Sequence, residues 1–167
     1  MKFLKLIPLL ILIMISCSKK SNDGTELKHF PLNNIDGVIT LSGVELDSVI
    51  SSDGNGSLKI TTEAPTIVQL YKTGNLDVED ATINFSAKVK TENVQGQVYL
   101  EMWCVFGESG EYFSRGLDRS IAGSNDWTSL ETDFFLKSGE NPDNIRLNIV
   151  IAGTGTVWVD DVRLVER

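Results

Sequence analysis

The residues with the clearest chemical potential lie in one stretch, Val98 to Phe106, where the side chains alternate in character. Tyr99, Glu101 and Trp103 occupy every second position, so in a β-strand they point to the same side. An aromatic ring offers an apolar platform to the C–H face of a sugar, and a carboxylate accepts hydrogen bonds from hydroxyl groups. The same three side chains also suit a protein interface, because exposed aromatic residues can mark one.

Other strands must carry the partners of these residues. The stretches Ala81 to Lys90 and Ile145 to Ile151 alternate between apolar and polar side chains, which predicts half-buried strands. The second of them places Arg146 and Asn148 outward. Arg115 lies in another short predicted strand. We expect these three polar residues to join the aromatic face and complete a polar groove.

The composition favours an all-β domain. The chain has 14 glycines and only 4 prolines, and Val, Ile, Thr and aromatic residues are frequent. About eight to ten short strands with turns between them predict a two-sheet antiparallel β-sandwich of the jelly-roll type. We predict that this domain spans residues 27–167, with a turn at Glu92 to Gly96 separating two of its strands.

The closing stretch, Gly153 to Leu164, also alternates. Trp158, Val162 and Leu164 are the bulkier set, so we expect them to face the core. Asp160 falls on the same side. A buried carboxylate is costly unless it is paired or bound to a metal, so Asp160 requires a partner.

The N-terminal sequence predicts that the protein is exported from the cytoplasm. Residues 1–16 combine a basic start with a short apolar run, as in a signal peptide, and Cys17 follows directly. This junction resembles the lipobox of bacterial lipoproteins, which implies cleavage before Cys17 and attachment of fatty acyl chains to it. Residues 17–26 would then be the lipidated cysteine and a flexible tether. The expected location is the bacterial outer membrane, facing the periplasm or the exterior; an ordinary secreted protein or an uncleaved anchor are the alternatives.

Charge and residue content argue against several classes of function. The formal net charge of −8 disfavours nucleic acid and anionic membrane surfaces as partners. A single histidine leaves no Ser-His-Asp triad, so we predict that the protein is not an enzyme. Glu101 and Glu131 form the remaining candidate pair for a small glycoside hydrolase. We expect Cys104 to be a small buried apolar residue, without a disulfide.

Several segments resemble the carbohydrate-binding-module jelly rolls of the galactose-binding-like superfamily. They are SSDGNGSLKI, FSAKVKT, YLEMWCVF, NDWTSLETDFFL and GTVWVDDVRL. The resemblance implies a two-sheet sandwich, sugar binding on one sheet face and often a structural Ca²⁺. In this chain the implied calcium ligands are Asp160 and Asp53, since carboxylate oxygens suit this ion.

Two functional hypotheses follow. The first is a lipid-anchored, noncatalytic carbohydrate-binding protein that uses Tyr99, Glu101, Trp103, Arg115, Arg146 and Asn148. The second is an envelope interaction protein whose aromatic face docks another protein.

Overall fold

The computed structural model describes residues 24–167, and these form an all-β domain. Its strands are β1 (Thr25–Phe30), β2 (Val44–Asp47), β3 (Ser57–Thr62), β4 (Thr66–Gly74), β5 (Thr82–Val105), β6 (Glu111–Arg115), β7 (Ile121–Phe135), β8 (Asn144–Ile151) and β9 (Thr154–Glu166). Two short 3-10 helices, Gly107–Ser109 and Leu117–Arg119, flank β6. None of the helices in this part of the chain has the length and apolar character to cross a membrane. The predicted signal peptide and Cys17 lie outside the described residues.

The long strand β5 organises both sheets. Its first part, residues 82–95, pairs with β9 on one edge and β7 on the other. Its last part, residues 98–105, pairs with β8 and β6. All these pairings are antiparallel. The first sheet extends beyond β9 to β1, β3 and β2, and the second sheet extends beyond β8 to β4.

One core joins the two sheets. Ile83 and Phe85 from the first sheet belong to the same buried cluster as Leu100 and Met102 from the second. Because β5 runs through both sheets, they form one continuous hydrogen-bonded sheet that folds over on itself and buries this core between its two halves. The architecture is therefore the predicted β-sandwich. Cys104 is fully buried in this core and has no disulfide partner among residues 24–167, and burial raises the pKa of its thiol to about 12.

The predicted turn at Glu92 to Gly96 is wrong, because β5 continues through it in strand conformation. The strand passes from one sheet to the other here, beside the short connection between β8 and β9. Gly153 makes the passage fit: a Cβ atom on it would lie 1.6 Å from the backbone oxygen of Gln95. Gly96 has a φ of 119°, and a Cβ atom on it would lie 2.2 Å from the Ala152 oxygen. The glycines therefore mark a crossing of backbones and not a hairpin.

The predicted facing of β9 is wrong in its first half. Val157 and Val159 face the core, whereas Trp158 does not belong to the core cluster. The pairing register with β5 shifts next to Asp160, and Asp161 adopts a φ of 48°. This β-bulge adds one residue to the strand and reverses the alternation, so Val162 can face the core again.

Candidate functional site

The six residues predicted to form a binding face lie together on the outer surface of the second sheet. Glu101 is the centre of the arrangement: its neighbour on β6 is Arg115, and its neighbour on β8 is Asn148. Trp103, two residues further along β5, lies beside Arg146 of β8. Tyr99 follows on the other side of Glu101, beside Val150. We call the surface formed by these side chains the second-sheet groove.

Glu101 is only 2% exposed and connects the groove through three hydrogen bonds. Its Oε1 accepts from Trp103 Nε1 at 2.7 Å and from Asn148 Nδ2 at 3.1 Å. Its Oε2 accepts from Arg115 Nε at 2.6 Å. One positively charged and two neutral hydrogen-bond donors therefore stabilise this buried carboxylate.

The environment of Glu101 has opposing effects on its protonation. Burial favours the neutral acid, but the hydrogen bonds from Arg115, Trp103 and Asn148 favour the carboxylate. The hydrogen bonds prevail and hold the pKa of Glu101 below its usual range. The group is therefore ionised at neutral pH, and it acts as an acceptor and not as a proton donor.

Trp103 is not a free stacking platform. The Arg146 guanidinium carbon lies 5.3 Å from its ring centroid, and the Phe113 ring lies 5.0 Å away at an angle of 43°. Phe113 is 50% exposed and itself carries the Arg115 guanidinium at 4.4 Å. Phe113 was not among the residues predicted from the sequence, although it lies two residues before Arg115 in the same strand and so on the same face.

The floor of the groove holds polar atoms without partners. Asn148 is 7% exposed, yet its Oδ1 has no hydrogen-bond partner among residues 24–167. The buried Nε of Arg146 also lacks a partner within the described chain. Buried polar atoms normally form hydrogen bonds, so an acceptor and a donor here indicate a polar ligand or bound water.

Asp160 is buried, but not in the core. It lies on the outer face of the first sheet, where Ser52 donates to its Oδ2 from both N (2.8 Å) and Oγ (2.7 Å). The backbone N–H of Asp161 donates to Oδ1 at 2.8 Å. Nearby, Trp158 donates from Nε1 to Asp47 Oδ2 at 2.9 Å. Both side chains thus hold the loop between β2 and β3 against the sheet.

These donors do not fit the calcium site that the resemblance implies. The oxygens of Asp160 already meet N–H and O–H groups, which would point their hydrogens at a cation. Asp53 directs its oxygens at the backbone N–H and the Nδ2 of Asn55 instead. Residues 24–167 contain no cluster of three or more His, Cys, Asp or Glu side chains able to hold a metal.

Chelation should therefore leave the domain unchanged. We expect the thermal unfolding midpoint to shift by less than about 1 °C when EDTA is added, because the oxygens of Asp160 and Asp53 already accept hydrogen bonds from N–H and O–H groups and are not free to bind calcium. Differential scanning calorimetry with EDTA and with added CaCl₂ checks this. A midpoint that rises with calcium concentration would contradict it and restore Asp160 as a candidate ligand.

The candidate hydrolase pair, Glu101 and Glu131, is divided between two clusters. Glu131 belongs to the first sheet, where it forms ion pairs with Arg119 and Arg167 and accepts from Asn84. Glu101 is bonded to the groove residues described above. Since the two carboxylates lie in separate clusters and each is already paired with arginine, they do not form the facing pair of acids that a glycoside hydrolase needs.

Several solved structures with a similar fold are carbohydrate-binding modules. The chain is similar to the CBM22-1–GH10 modules of the Clostridium thermocellum xylanase Xyn10B in complex with xylohexaose, with a TM-score of 0.62 and 17% identity over 86% of this chain and 29% of that one. It also resembles the CBM22-1 xylan-binding domain of Paenibacillus barcinonensis Xyn10C, with a TM-score of 0.60 and 13% identity over 87% and 97% of the two chains. A family 16 carbohydrate-binding module is similar as well, with a TM-score of 0.59 and 14% identity over 80% of this chain and 94% of that one.

No protein-family model and no curated protein matches the chain. At these identities the likeness is one of fold. The predicted resemblance to carbohydrate-binding modules is confirmed at that level. The chain has the β-sandwich fold of carbohydrate-binding modules.

Proposed function

We propose that the protein binds carbohydrate noncatalytically in the second-sheet groove. The observation that carries this proposal is the polar floor: Glu101 and Asn148 are buried between Tyr99 and Trp103, and Asn148 Oδ1 has no partner within residues 24–167. A sugar presents adjacent hydroxyl groups and an apolar C–H face. The groove offers matching polar atoms and aromatic rings.

The individual contacts follow from the atoms left open. Asn148 Oδ1 accepts a hydrogen bond from a sugar hydroxyl, and Arg146 Nε donates one. Phe113 and Tyr99 supply apolar contact to the sugar. Phe113 lies beside Trp103 and is half exposed, so its ring is the one open to a ligand there. One of the similar structures is a complex with xylohexaose and another is a xylan-binding domain. Oligosaccharides of β-1,4-xylan are therefore the first ligands to test.

We also propose that the domain is held at the cell envelope through Cys17. The support is the leader sequence: the basic start, the short apolar run and the cysteine directly after Ser16. Metabolic labelling with a clickable fatty acid tests the anchor. Incorporation that is lost in Cys17→Ser supports it, and labelling that persists in this variant contradicts it.

Removing the groove tryptophan should strongly weaken glycan binding. We expect Trp103→Ala to weaken binding of xylohexaose, or of any glycan found by array screening, at least about tenfold, because Phe113 and Arg146 lose the ring against which they lie and Glu101 loses the Nε1 donor, so the shape of the groove is lost. Isothermal titration calorimetry measures the affinity, and circular dichroism confirms folding. Trp127→Ala is the matched control, since Trp127 lies on the other sheet beside His29 and Lys88.

Two results would overturn the proposal. The first is unchanged affinity in a folded Trp103→Ala protein. The second is a blank glycan array from the folded wild-type protein together with a stoichiometric protein partner in envelope extracts, which would favour the protein-docking hypothesis.

A further inference from the structure

A cavity of about 580 Å³ opens at one end of the sandwich, between the loop after β5 and the loop between β7 and β8. None of the six predicted groove residues lines it. Its apolar walls are the rings of Phe106, Tyr112, Phe134 and Phe135. Tyr112 is 55% exposed and Phe135 is 65% exposed. Two large rings left open beside a cavity indicate a ligand that contacts them.

Neighbouring rings of this cavity meet at an angle. Phe106 and Tyr112 lie 6.0 Å apart at an angle of 61°, and Phe106 and Phe134 lie 6.3 Å apart at 33°. A sugar ring stacks best on one flat, open surface, which rings at these angles do not provide. A compact cation is attracted to ring faces within about 6 Å and can contact several walls at once.

The charges around the cavity favour a cation. Glu140 and Asp143 line it. Two further carboxylates accept hydrogen bonds from residues that line it: Asp77 accepts from Asn141, and Glu79 accepts from the Gly139 N–H. Lys137 is the one cationic side chain among the lining residues, and its Nζ already lies 3.9 Å from Glu140 Oε1.

Asp143 is placed to balance a bound positive charge. Its carboxylate lies beside Gly107, where a Cβ atom would come 3.2 Å from Oδ2. A bare metal ion does not fit this site, because the described residues contain no cluster of three or more metal-ligating side chains. Angled aromatic rings with carboxylates beside them instead match an organic cation.

We infer that this cavity binds a substituted ammonium group of the choline type. The rings of Tyr112, Phe106 and Phe134 surround the methyl groups, and Asp143 neutralises the charge. The group can belong to a free small molecule or to a lipid headgroup. This inference is independent of carbohydrate binding in the groove.

The test compares choline with its neutral isostere. Choline chloride and 3,3-dimethyl-1-butanol, which replaces the ammonium nitrogen with carbon, are titrated into the purified protein and followed by NMR. We expect choline to bind at least about fivefold more tightly, as a cation–π contact predicts. Equal affinity of the two compounds, or no saturable shift with choline, overturns the inference.

Variants locate the site. Tyr112→Ala and Asp143→Asn each weaken choline binding at least about fivefold, whereas Phe113→Ala, next to Tyr112 but on the opposite side of β6, leaves it unchanged. An unchanged choline affinity in both Tyr112→Ala and Asp143→Asn overturns the assignment. Sedimentation with phosphatidylcholine vesicles separates the sources: vesicle binding that choline suppresses indicates a lipid headgroup, and choline binding without vesicle binding indicates a free ligand.

Discussion

Replacing Glu101 with alanine is expected to destabilise the domain by about 3 kcal/mol and to eliminate glycan binding. The substitution leaves Trp103 Nε1 and Asn148 Nδ2 without their acceptor, and Arg115 without its counter-charge. The half-exposed Arg115 can recover some hydration, but the buried Asn148 cannot. Since small domains are stable by only about 5–15 kcal/mol, the loss is readily measured by urea denaturation.

The variant Glu101→Gln separates shape from charge. It keeps an acceptor oxygen of the same size and removes the carboxylate. Because the pKa of Glu101 is lower in the folded protein than its ordinary value of 4.5, the carboxylate stabilises the fold above that pH. This contribution is lost as the pH falls through the folded-state pKa. The wild-type advantage over Glu101→Gln should therefore shrink on acidification from about pH 7 to about pH 3; an advantage independent of pH would contradict this account.

Replacing Gly153 with alanine is expected to be the most damaging single-methyl change in the domain. The new Cβ would lie 1.6 Å from the backbone oxygen of Gln95. Neither atom can move without the backbone, because the oxygen is part of it and a Cβ is bonded directly to it. Relief requires β5 and the β8–β9 connection to separate at the passage between the sheets. We expect a loss of about 4 kcal/mol or more, or failure to fold, as judged by circular dichroism and soluble yield.

A second glycine provides the control for this experiment. Gly123 has a φ of 75°, and no atom lies within 4 Å of the position that a Cβ would take, so alanine there meets backbone strain without collision. We expect Gly123→Ala to cost only about 1 kcal/mol. Similar losses in the two variants would show that close approach at Gly153 is not the cause.

The strands are predictable where one face is apolar and the pattern is uninterrupted. Val98 to Phe106 and Ile145 to Ile151 satisfy this condition, and their core-facing residues Leu100, Met102 and Ile149 are buried as predicted. The register of the pairing then brings Arg146 and Asn148 beside β5. Side-chain alternation alone is therefore enough to collect the groove residues on one face.

Local irregularities are not predictable from alternation. The bulge at Asp161 depends on a non-glycine residue with positive φ, and no single residue type announces it. It moves Trp158 and Asp160 to the outer face. The glycine at position 96 suggests a turn because a turn and a close crossing of strands require the same residue. Phe113 escapes prediction because β6 has only five residues, too few for a clear alternation.

The pairing of β1 with β9 has a consequence for how such a domain can be used in larger proteins. Thr25 lies opposite Glu166, so the chain enters and leaves the folded unit at neighbouring positions. Such a unit can be inserted into a surface loop of another protein, or circularly permuted through a short linker, with little distortion of its host. The entry and exit points belong to the first sheet, whereas the groove lies on the second. Fusion partners attached at either terminus would therefore leave the groove accessible.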